Sequence, residues 1–195
     1  MSRTAFFTKE DITKQVIELI RKHGIEYLSA RNLSRMLGCT VSPLFSTFKN
    51  MGEIEQEARK AAEKLFVDYM AGVEDYYPPM KEFALRIIKF SKEETNLYHY
   101  LFLTKGINCN IGEEIAQKLM MKDVKDEHSL NEEQCKAILM QMWPFICGVS
   151  VLCNKDPEAF SDETVSRLIS VQFLSMLHMV TSGKQINPVE PKIVK

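Results

Sequence analysis

Residues 29–54, SARNLSRMLGCTVSPLFSTFKNMGEI, restrict what this chain can fold into more than any other stretch does. Ser29 is a helix-capping residue, and Leu33 and Leu37 follow it at helical spacing. Gly38 then permits a tight left-handed turn, and Thr40 stands where the cap of a third helix is expected, with Leu44 and Phe48 turned inward. Two short helices across such a turn form a helix-turn-helix pattern. Spacing of this kind is weakly specific, because many helical proteins join two short helices at a glycine.

The rest of the chain reads as helix as well. Runs that alternate apolar and polar residues are absent, and glycine and proline fall where helices end, so the spacing predicts an all-α fold. Residues 8–23 set Ile12, Val16, Leu19 and Ile20 on one face, with Thr8 as cap, acids in the first turn and Gly24 as a stop. Asn50 and Glu53 predict a capping-box-like start to a long fourth helix that runs to about Tyr76, ahead of Pro78 and Pro79. Further helices are expected over 79–93 and 95–104, and again around Ile115, Leu119 and Met120, after a break at 108–112. The charged segment 122–129 reads as a surface loop. Asn131 with Gln134 opens a helix running toward Cys153, and Ser161 opens the last one, through about Thr181. The expected organisation is a three-helix head (1–52), a larger helical body (53–187) and a flexible tail (188–195).

Charge sharpens the division. The net charge is −1, yet residues 1–51 hold eight basic and four acidic side chains, so the head carries +4 and the remainder −5. Five scattered cysteines without a CxxC pair read as reduced thiols, and no metal or other cofactor is expected. With no apolar leader after the first residues, the expected location is the cytoplasm. The apolar run 137–153 is broken by Gln141 and Pro144 and is short of the ~20 residues a membrane span needs, so no membrane contact is expected. Glycine-rich phosphate loops, GxSxG and HExxH are all missing, and His23, His99, His128 and His178 are scattered. The chain does not read as an enzyme.

RNLSRMLGCTVSPLFSTFKNMGEI resembles the N-terminal domain of TetR/AcrR transcriptional regulators, whose pattern is roughly R-x-I-A-x-x-x-G-V-S-x-G-x-L-Y-x-H-F-x-x-K-x-x-L. Arg31, Leu33, Gly38, Leu44, Phe48 and Ile54 stand at its positions, with Ser34, Cys39 and Thr40 as close substitutes; the likeness spans residues 8–60. Further on, Trp143 and Gly148 fall on a W-x-x-x-H-G pattern of some C-terminal domains, with Cys147 in place of His. Two departures concern phosphate contacts: Phe45 replaces a tyrosine and Met51 a lysine.

The resemblance implies a ligand-responsive repressor that binds a pseudo-palindromic operator in double-stranded DNA as a homodimer and is released by a small, largely apolar effector. On the third helix Val41, Ser42, Phe45, Ser46 and Thr47 are left to face DNA. Arg31 and Lys49 are the expected phosphate contacts, supported by Arg3, Lys9 and the helix N-termini at Ser29 and Thr40. In the last helix Val165, Leu168, Ile169, Phe173, Met176 and Val180 form one apolar face and Val171, Leu174 and His178 another. The resemblance assigns that second face to a two-fold four-helix bundle. Phe66, Tyr69, Phe83, Phe90, Tyr98, Phe102, Met120, Met142 and Trp143 are candidate walls of an effector site, with His99 and Cys109 as polar contacts. The alternative is a helical ligand-binding or protein-interaction module with weak or lost DNA binding.

Overall fold

A computed structural model describes residues 7–104 and 109–182, among which all regular structure is helical. Arg3, the tail and the first residue of the expected break at 108–112 lie outside them.

The head forms where its caps predict. In α1 (Lys9–His23) Thr8 and Asp11 make a reciprocal capping box, and Arg21, Lys22 and His23 complement the C-terminal carbonyls before Gly24. Ser29 accepts from the Asn32 amide at the start of α2 (Ala30–Met36). Gly38 takes the left-handed conformation, with φ 66°, that the turn requires. The third helix, α3 (Ser42–Thr47), starts differently from expectation: Val41 precedes it in helical conformation, makes no side-chain cap, and Thr40 lies one residue outside. Pro43 in its first turn supplies a preset φ instead. Ile12, Val16 and Ile20 close over Leu33, Leu44 and Phe48, so three short amphipathic elements share one dry centre.

Helix α4 (Met51–Met70) is capped by Asn50 through the Glu53 amide. The Glu53 carboxylate accepts from the Lys49 amide at 2.7 Å, one residue before the position a strict capping box would use. This helix ends at Met70, short of Tyr76, because Gly72 turns left-handed and a 3-10 turn over Val73–Asp75 follows. Ala58, Ala62, Phe66 and Met70 carry its buried stripe from head to body.

In the body, α5 (Pro79–Glu93), α9 (Glu132–Lys155) and α10 (Asp162–Thr181) pack on one another. The short α6 (Thr95–Tyr98) widens into a π-helical turn over His99–Leu103. Helix α7 (Ile111–Leu119) does the same over Met120–Val124 before α8 (Lys125–Glu127). Segment 122–129 is therefore mostly helical where a loop is expected from its charge. Val124 is buried, and its side chain anchors the turn to the core.

Ties between head and body are polar and long in sequence. Arg21 donates to both carboxylate oxygens of Glu94, at 3.0 and 2.9 Å, and the Asn96 amide donates to the Arg21 carbonyl at 2.8 Å. Within the body, Tyr100 donates to the Glu55 carbonyl of α4 at 3.2 Å, close to the junction with the head.

Candidate nucleic-acid interface and the body behind it

Of the five positions at α3 that the spacing leaves free, Ser42, Phe45 and Ser46 are exposed, and Val41 and Thr47 are half-buried. Arg31, Thr40 and Lys49 are exposed as well, while Ser29 is half-buried. Phe45 presents its ring to solvent at 42% exposure, an isolated apolar group on an otherwise polar face. Not every hydroxyl there is free. Thr47 donates to the Phe7 and Pro43 carbonyls and Ser46 to the Pro43 carbonyl at 2.8 Å, so both help to close the helix. Their oxygens keep lone pairs, but their protons point back into the backbone.

The cations divide in the same way. Lys9 Nζ sits 2.7 Å from the Glu53 carboxylate and over the Phe48 ring, so its charge is spent inside the head. The Lys49 amide, then Lys9, hold the Glu53 carboxyl below the usual carboxylate range. Arg21 is likewise taken by Glu18 and Glu94. Arg31, Arg35 and Lys49 make no ion pair among the described residues, and Arg35 stands one turn beyond Arg31 on α2. Arg35 was not singled out from the sequence, although its i,i+4 spacing from Arg31 was readable there. Met51, where the TetR/AcrR pattern has a lysine, is half-buried against the core.

Of the eleven body residues expected around an effector, Cys109 is half-buried and the other ten fall into three sets. Phe66, Tyr69, Phe90, Tyr98, Phe102 and Trp143 meet ring to ring, with centroids 5.0 to 5.7 Å apart and most pairs edge-on. Phe83, Met120 and Met142 are buried in the same core, whereas His99 is exposed. The Trp143 indole packs against Gly112, where a Cβ would collide with its outer ring atoms. Trp143 also borders a cavity of about 440 Å³ between α7 and α9 that includes Glu113, Lys136, Met140 and Pro144. Deep in this core the Tyr98 hydroxyl is buried with no hydrogen-bond partner among the described residues, beside Cys147 and Ser150. Burial raises the pKa of the Cys147 thiol and pushes that of the Tyr98 hydroxyl far above its ordinary range. All five cysteines are unpaired, with Cys135 and Cys153 buried and Cys39, Cys109 and Cys147 half-buried.

The far side of the body is apolar and uncovered. Met140, Val151 and Leu152 of α9 and Leu168, Val171 and Leu174 of α10 are exposed, Met140 at 79% and Leu174 at 59%. His178 lies on the same stripe of α10 and is exposed too. By length and composition alone α9 could cross a membrane. Its opposite face is that of a core helix, with Ile138, Met142, Ile146 and Val149 buried.

No family model matches the chain, and no curated protein does. Among solved structures it is similar to a presumptive transcriptional regulator from Pseudomonas aeruginosa PAO1, with TM-score 0.69 and 11% identity over 90% of this chain and 93% of that one. The two share a fold. At this identity the likeness carries the helical architecture from end to end, head and body together, and leaves contacts and ligands to each chain's own side chains.

Proposed function

We propose that this protein is a DNA-binding transcriptional regulator of the TetR/AcrR type, a repressor that works as a homodimer and releases its operator when a small apolar effector fills the body. The observation that carries the reading is the outer surface of the helix-turn-helix. Its inward residues are sealed, while the exposed side chains of Arg31, Arg35 and Lys49, which make no ion pair among the described residues, stand next to the exposed residues of α3. A short helix with small side chains fits the major groove, and the flanking cations suit phosphates.

The apolar stripe on α9 and α10 supports pairing. Two such stripes facing each other make a four-helix bundle, which sets two heads on one side for two half-sites. Effector release then follows from a shift in the spacing of the heads. The path from body to head runs through α4 and through the Arg21–Glu94 and Asn96 contacts, which hold α1 to the α5–α6 corner.

A second reading has its own support. Phe45 lacks the hydroxyl that a phosphate would accept from, Met51 carries no charge, and Lys9 is neutralised by Glu53. A chain that kept the fold with weak DNA binding would look like this.

Mobility shift against the DNA flanking the protein's own gene, at low and physiological salt, separates them. The regulator reading expects sequence-specific retardation that Arg31→Ala weakens on all sequences alike, with the salt slope lower by about one. Sequence-independent binding, or none, favours the second reading. Phe45→Tyr with Met51→Lys is expected to tighten DNA binding at low salt.

A further inference from the structure

A second cavity, of about 280 Å³, lies between the first turn of α5, α8 with the turn before it, and the middle of α9 and α10. The other end of α5, about 22 Å along the helix at 1.5 Å per residue, is the end that meets the head through Glu94, so this cavity is remote from the DNA face. Met80, Val124, Met142, Ile169 and Phe173 form its apolar floor, and Lys81, Glu127 and His128 stand at its rim.

We propose that this cavity binds a small apolar carboxylic acid, its chain or ring on the methionine and phenylalanine floor and its carboxylate at Lys81. The size points to a small ligand, since the volume is at the lower limit of the roughly 300–1,000 Å³ typical of ligand sites. A straight chain of about eight to ten carbons, or one ring with a short arm, suits it.

The charge of the head group follows from who is already paired. Glu127 is the acid at the rim; it accepts from the Tyr77 hydroxyl and lies 3.9 Å from His128 Nε2. Lys81 makes no ion pair among the described residues, and it sits in the first turn of a 15-residue helix whose dipole is positive at that end. Lys81 and Glu82 return their amides to the Pro78 carbonyl, and Pro79 has none to give, so the ammonium is the strongest donor on offer. An anion is favoured at Lys81, while the charge of Glu127, which the Tyr77 hydroxyl does not cancel, disfavours a carboxylate on its side of the rim.

Leu174 and Ser170 close the cavity on the α10 side, and Leu174 also belongs to the exposed stripe that pairs with a second copy in the function proposed above. An occupant therefore presses from behind on the pairing surface. The binding site does not depend on the regulator reading; its effect on DNA does.

Calorimetric titration of the full chain with octanoate, decanoate, decanol and decylamine tests the site. Decanoate is expected to bind once per chain, up to about fifteenfold tighter than octanoate, at roughly fourfold per methylene buried. Lys81→Glu is expected to weaken decanoate at least tenfold and decanol less than twofold, and Ser170→Phe to abolish both. As a readout that survives a variant that does not fold, the labelled methyl signals of Met80 and Met142 in the unaltered protein should move with decanoate while Met51 stays. The proposal is overturned if the acid, alcohol and amine bind alike, if Lys81→Glu leaves decanoate unaffected, if Met80 and Met142 do not respond, or if nothing binds at millimolar concentration. Decanoate that binds but leaves a specific DNA complex intact overturns the link to pairing and spares the site, whereas loss of specific DNA binding without any ligand overturns the regulator reading alone.

Discussion

Head and body solve the same packing problem to different degrees of completion. In the head, α1 to α3 bury Ile12, Val16, Leu33, Leu44 and Phe48 in one centre, and Phe45 is the apolar side chain α3 leaves to solvent. In the body, α9 and α10 bury one face each and leave Met140, Val151, Leu152, Leu168, Val171 and Leu174 outside. The difference shows which surface is finished within one chain. A polar face flanked by cations is complete in water, whereas exposed apolar side chains on two adjacent long helices are the surface that the proposed pairing would cover.

Breaking the unfinished side should have the largest effect. Val171→Glu combined with Leu174→Arg is expected to convert the proposed dimer to monomer in sedimentation velocity and to abolish specific DNA retardation, with circular dichroism unchanged. A monomer in the unaltered protein would remove the comparison's basis. Next in size, Phe66→Ala, which opens a hole among Phe90 and Phe102, should cost about 3–5 kcal/mol in urea denaturation. Gly112→Ala probes the same core by overfilling: with Trp143 in the way, about 1–3 kcal/mol is expected, against the usual gain of alanine in a helix.

The smallest effect belongs to the head and is a matter of pH. Glu53 is ordinarily at 4.5 and is held lower in the fold by the Lys49 amide and Lys9. A depressed carboxyl contributes stability above its unfolded value, and that contribution disappears as pH falls through the folded value. Thermal unfolding of Glu53→Gln between roughly pH 5 and 3 should therefore fall less steeply than that of the unaltered protein. Parallel curves would mean that this exposed contact adds nothing measurable.

Most of the fold was legible because helix ends carry local chemistry. Thr8, Ser29, Asn50, Asn131 and Ser161 all cap as their spacing predicts. The misreadings occur where tertiary packing overrides a local signal. The polar composition of 122–129 suggested a loop, but Val124 finds a buried seat and keeps the segment helical. The fourth helix stops at Met70, since Gly72 turns left-handed before the prolines that seemed to end it. Thr40 had the right chemistry for a cap, and Pro43 sets the start of α3 without it.

The sites were harder to read, because a site is a meeting of distant residues. The aromatic residues expected around an effector do cluster, but ring against ring, while the second cavity draws Lys81, His128 and Phe173 from three separate stretches. Nothing in their spacing marks them as neighbours. Lys9 shows the opposite limit: a lysine in a basic head reads as a phosphate contact until Glu53, 44 residues on, is found beside it.

The Arg21–Glu94 tie, closed by Asn96, bears on how separable the head is. Its partners stand 73 and 75 residues away, so α1 rests on a surface that does not exist until the α5–α6 corner has been synthesised and folded. An excised head, residues 1–52, leaves Arg21 without Glu94 and α1 without its α6 neighbour. Grafting that head onto another body transfers the side chains proposed to face DNA and leaves behind the anvil they are held against.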